Sequence, residues 1–168
     1  MTINYSSDND IIIPTQHDTT YRGLGGDDIY IITRAISDGA KINIVDTEGT
    51  NIIQLTEGLS ISSSKFASTA FQITLSNNAE ITISSSHKNL YEIGGNATTG
   101  LIVDQNSYED FISFFGINSL PSLKSIKGLT NLIIEGEKLI TNNKIFSWEI
   151  KNPESVGLDT NEVNDLMD

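Results

Sequence analysis

The chain has 168 residues, with 22 acidic against 10 basic side chains, a formal net charge of -12 and no cysteine. That length suits one domain with a real core. The charge repels phosphate backbones and argues against a nucleic-acid partner, and the lack of cysteine excludes disulfides, thiolate metal sites and cysteine nucleophiles. No run is long and apolar enough to insert in a membrane. Residues Met1 to Tyr5 lack the basic-then-apolar order of a cleaved signal peptide, so export would need another route or a longer parent chain.

Ser, Thr, Asn, Ile and Gly dominate, which favours strands joined by tight turns. From the N-terminus, short apolar runs follow acidic turns: Ile11 to Ile13 after Asp8-Asn9-Asp10, and Ile29 to Ile32 after Asp27-Asp28. Asp38-Gly39 precedes the alternating strand Lys41 to Val45, and Asp46 to Gly49 precedes the strand Ile52 to Leu55. Phe71 to Leu75 and Ala79 to Ile83 alternate apolar and polar residues on either side of Asn77-Asn78, the pattern of a hairpin. Leu90 to Ile93 is a further strand, stopped by Gly94-Gly95.

One helix is expected over about 107–115. Ser107 is its cap, Tyr108, Phe111, Ile112 and Phe115 share one face, and Gly116 stops it. Leu129 to Ile134 reads as a strand. Leu139-Ile140 and Ile145 to Ile150 read as a second hairpin around Asn142-Asn143, with Trp148 in a packing role. The acidic tail from Pro153 offers a C-terminal helix start at Asp159.

The chemistry concentrates in Gly23-Leu24-Gly25-Gly26-Asp27-Asp28-Ile29-Tyr30-Ile31. Glycines allow sharp turns that aim carbonyls inward. Aspartates add charged oxygens of the kind calcium takes, six to eight at a time. This nonapeptide resembles the RTX (hemolysin-type) calcium-binding repeat, G-G-x-G-x-D-x-U-x, with Asp28 as the repeat aspartate and Tyr30 as the large apolar anchor; Leu24 stands in the place of the second glycine. An alternative register makes Asp27 the ligand and Ile29 the anchor. Only one nonapeptide is good, so the resemblance is to a degenerate copy. The wider pattern, through Ile44 to Gly49, Tyr91 to Ala97 and the Tyr108 to Phe111 helix, is similar to a module of large bacterial surface and extracellular proteins.

The resemblance implies a mainly β fold. A short degenerate calcium β-roll or β-solenoid over 1–60 would continue into a β-hairpin region with one helix over 61–152, packed as the same unit, followed by an acidic tail over 153–168. It implies calcium, held by Asp28 and Asp27, then Asp10, Asp46 and Glu48, with backbone oxygens near Gly23 and Gly25. Asp8 and Asp18 are weaker candidates. Asp10, Asp28 and Asp46 recur at the 18-residue interval of one full coil, although Thr47-Glu48-Gly49 after Asp46 does not suit a strand.

The expected function is non-enzymatic: a secreted or cell-surface structural, assembly or adhesin module that self-associates through edge strands. Two other readings remain open. One is a calcium-dependent carbohydrate-binding module in which Tyr91, Tyr108 or Trp148 stacks on a surface glycan. The other is an accessory domain of a secreted hydrolase. His17 and His87 lack metal-pair spacing, and no serine lies in a nucleophile elbow.

Overall fold

The computed structural model describes residues 1–97, 104–122 and 124–141. It is mainly β, with one short helix. The strands are β1 (Thr2–Asn4), β2 (Ile11–Ile12), β3 (Thr19–Arg22), β4 (Ile29–Ile32), β5 (Lys41–Val45), β6 (Ile52–Leu55), β7 (Ser60–Phe66), β8 (Ala70–Leu75), β9 (Glu80–Ser84), β10 (Leu90–Ile93), β11 (Ile126–Lys127), β12 (Leu132–Glu135) and β13 (Lys138–Thr141). The helix, α1, spans Tyr108–Ser113.

The first six strands alternate between two sheets. In one, β1, β3, β5 and β9 pair in parallel; in the other, β2, β4, β6 and β10 do the same. Each pass of the chain therefore gives one strand to each sheet: β1 with β2, β3 with β4, β5 with β6, and β9 with β10. The hairpin strands β7 and β8 enter between the third and fourth passes and extend the first sheet antiparallel from β9. The pairing thus runs across residue 60 and joins the two expected regions in the same sheets.

Period-two alternation explains the core. Tyr21, Ile42, Ile44, Ile81 and Ile83 point inward from the first sheet, and Ile12, Tyr30, Ile32, Ile53, Leu55, Tyr91 and Ile93 from the second; all are buried. At the fourth pass α1 closes the end. Ser107 Oγ accepts the Asp110 N–H at 3.1 Å, and Tyr108, Phe111, Ile112 and the following Phe115 are buried. Phe111 stacks on Tyr91 with centroids 4.2 Å apart and meets Phe115 edge-on. Asn106 pairs with Tyr91 and covers the edge of β10.

The hairpin of β8 and β9 forms around Asn78, whose φ of 67° is the left-handed turn conformation. One expectation changes. The strand expected over Leu129 to Ile134 runs from Leu132 to Glu135, and β13 pairs with it through a turn at Gly136, φ 63°. Leu139-Ile140 thus pairs with β12 on its N-terminal side, where Gly136 supplies the positive φ that a two-residue turn needs; the hairpin expected around Asn142-Asn143 lies outside the described residues. The strand Ile145 to Ile150, Trp148 and the C-terminal helix lie outside the described residues. Among the described residues no helix is long and apolar enough to cross a membrane.

Candidate functional site

Two columns of side chains tie the passes together just before the strands of the second sheet. Ile11, Ile29 and Ile52 are in register, so Asp10, Asp28 and Asn51 stand one above another. The Asp10 N–H donates to Asp28 Oδ1 at 2.8 Å, and the Asp28 N–H donates to Asn51 Oδ1 at 2.8 Å. One residue earlier, the Asp27 N–H donates to Asn9 Oδ1 and the Thr50 N–H to Asp27 Oδ1, each at 2.8 Å. Asp10 is also held by its own turn, because its Oδ2 accepts the Ser6 N–H at 2.9 Å and the Ser6 hydroxyl at 2.8 Å. These bonds satisfy turn amides that the sheet ladders do not reach.

The 18-residue interval therefore holds for Asp10 and Asp28 and then stops. The link from the second pass to the third, between β4 and β5, is longer, so Asp28 and Asn51 are 23 residues apart. Asp46 belongs to the other sheet. Tyr21 pairs with Ile44, so two residues on, Gly23 lies beside Asp46.

This neighbour relation builds the site. Asp46 follows Ile42 and Ile44 on the inward face of the first sheet, and Asp28 and Tyr30 share the inward face of the second. Their polar ends meet where Gly23 has no side chain. A Cβ there would collide with Asp28 Oδ2 and Asp46 Oδ2 and would lie 2.7 Å from the Tyr30 hydroxyl. Tyr30 donates to Asp46 Oδ2 at 2.7 Å, and Asp46 Oδ1 accepts the Glu48 N–H at 3.3 Å. Asp28 is fully buried and Asp46 is 3% exposed. With both carboxylates ionised neither supplies a proton, and buried Asp28 Oδ2 has no donor.

Burial raises the Asp28 pKa to about 6; the Asp10 N–H opposes that rise, and the Asp46 carboxylate and the charge of Asp10 add to it. Tyr30 is pushed well above the usual phenol range, first by burial and then by Asp46, so its hydroxyl keeps its proton and donates.

The structure thus brings together Asp28, Asp46 and Gly23 of the residues the sequence singled out. Asp10 reaches Asp28 through its main chain. Asp27 lies in the exposed neighbouring column, and Glu48 is exposed. Gly25 packs over Ser7, and the Asp8 carbonyl packs against Gly26. Asp18 is remote from these and pairs with His17 at 2.8 Å. Leu24 adopts φ 75°, the backbone conformation a glycine would take without strain. Among the described residues no group of three His, Cys, Asp or Glu side chains gathers as around a metal.

Sequence reasoning missed Asn51, Asn9 and the Tyr30 hydroxyl. A signal for Asn51 was present: an Asx residue immediately precedes Ile11, Ile29, Ile52 and Leu90, at the start of each second-sheet strand. A separate groove of about 490 Å³ at the start of α1 is lined by Ser68, His87, Tyr108, Glu109 and Asn118 among others; Tyr108 is one of the residues expected for glycan stacking, and none of the expected calcium ligands reaches it. Comparison with protein-family models, curated proteins and solved structures found no match.

Proposed function

We propose that this chain is a non-enzymatic, calcium-binding structural module of a secreted or cell-surface bacterial protein, built as a short degenerate β-roll of RTX type. The parallel passes, each giving one strand to each sheet, are then the coils of the roll. One observation carries the calcium reading: buried Asp28 Oδ2, which has no donor while both carboxylates are ionised, faces Asp46 where Gly23 has no side chain. Two carboxylates carry the two negative charges that balance a divalent cation, and a hard cation takes oxygens of this kind. Asp28 and Asp46 would hold the ion, and bound calcium would supply charge neutralisation between the second and third passes.

The rest of the reading follows from the same geometry. The strongly shifted carboxyl is sealed in the interior, which suits support of the fold rather than turnover of a substrate. Tyr91, which a glycan-stacking role would place at the surface, is fully buried among other aromatics. The outer edges of β1 and β2 lie at the end of each strand order, where a second copy would pair.

The test is calcium titration of the stripped protein by calorimetry, with melting followed by circular dichroism. Calcium at one hundred times its dissociation constant should stabilise the fold by about 2.7 kcal/mol, and Gly23→Ala should abolish the effect. Wild-type protein that gives neither binding heat nor a shift in Tm would exclude calcium.

A further inference from the structure

We infer that Tyr30 is a positioning residue for the cation: its hydroxyl holds the Asp46 carboxylate opposite Asp28, in the space beneath Gly23. This rests on the calcium reading above and adds a role that the nonapeptide resemblance does not give, since the anchor position asks only for a large apolar side chain.

A phenylalanine would fill the same volume. Tyr30 is fully buried in the core, yet its hydroxyl does something the other buried tyrosines do not. Tyr21 accepts the Thr15 and Gln16 N–H groups. Tyr91 donates to the Ser86 carbonyl and Tyr108 to the Ala67 carbonyl. Tyr30 also meets main chain, at Gly23, but it alone of the four donates to an acidic side chain, at 2.7 Å. The bond fixes the oxygen of Asp46 that faces Gly23, while the other oxygen has only the longer contact with Glu48.

The alternation of β4 produces the arrangement. Asp28 and Tyr30 are two residues apart and point the same way. The hydroxyl thus reaches across from the second sheet to the end of β5, where Asp46 leaves the first. Without it the Asp46 carboxylate could rotate away from Asp28, and cation binding would have to supply the ordering.

The experiment compares wild type with Tyr30→Phe, using calcium in calorimetry and terbium as a luminescent substitute excited through tyrosine. Loss of a charge-assisted hydrogen bond predicts calcium affinity about tenfold weaker in the variant. The rise in Tm that calcium causes should shrink, and most of the sensitised terbium emission should disappear. Asp46→Asn serves as a second variant: it keeps an acceptor for Tyr30, removes the charge and should lose binding. If Tyr30→Phe binds calcium as tightly as wild type, or if its Tm falls equally with and without calcium, the hydroxyl serves only the fold and the inference is overturned while the calcium reading stands. If wild type itself binds neither ion, both are overturned.

Discussion

With a chelator present, the protein should lose stability as the pH rises from about 4 to about 7, and Asp28 should account for the loss. Its carboxyl, ordinarily near 3.8, is held at about 6 in the fold, first by burial. Between those two values the folded chain binds more protons than the unfolded chain, so unfolding becomes easier with rising pH. The contribution is fully present below the unfolded pKa and is gone once the pH passes the folded one. A carboxyl that keeps its proton about two pH units higher contributes roughly 3 kcal/mol, or about 10 °C in Tm for a domain of this size. Other acidic groups titrate over the same range, so the comparison must be with Asp28→Asn. That variant keeps an oxygen for the Asp10 N–H and offers Asp46 a permanent donor, as the protonated acid does. Urea denaturation at half-unit pH steps should show wild type and variant nearly equal at pH 4 and separated by about 3 kcal/mol at pH 7, with the variant more stable. A difference that stays constant across the range would refute the reasoning.

Two further substitutions test the frame around the pair. Leu24→Gly should stabilise the chain by about 1 kcal/mol in the same denaturation assay, because Leu24 holds a left-handed φ of 75° that only glycine adopts freely. Phe111→Ala should cost about 3–5 kcal/mol, since this fully buried ring touches Phe66, Phe71, Tyr91 and Phe115. A cost below 1 kcal/mol would mean that α1 is not what closes the fourth pass.

Alternating segments were legible in the sequence because burial of one face imposes period two. Lys41–Val45, Ala70–Leu75 and Glu80–Ser84 form with alternate residues buried, whereas the apolar runs Ile29–Ile32, Ile52–Leu55 and Leu90–Ile93 form strands buried on both faces. β7 was not legible, since Ser60–Phe66 is rich in serine and owes its strand to pairing with β8 rather than to its own residues. The interval from Asp28 to Asp46 misled for a related reason. Spacing along a chain reports register only while the turns keep one length, and the turn between β4 and β5 is longer than the one between β2 and β3. The result places Asp46 beside Gly23 instead of Asp28, and only the pairing of β3 with β5 reveals it. No pattern signalled that the Tyr30 hydroxyl would meet Asp46, because that contact joins the two sheets across the interior.

Asp28 divides its two oxygens between two tasks, and that division makes a local charge a property of the whole fold. Oδ1 holds the first pass through the Asp10 N–H, while Oδ2 faces the third pass at Asp46. A single hydrogen bond to a charged acceptor contributes about 1.5–3 kcal/mol net, no more than the roughly 3 kcal/mol at stake in the protonation of the pair. An unneutralised charge at Oδ2 therefore weighs at least as much as the bond at Oδ1, and repulsion from Asp46 acts on the side chain that keeps the first pass docked. Positive charge arriving between Asp28 and Asp46 would relieve that load and tighten the first three passes together, even though the charge touches only two of them.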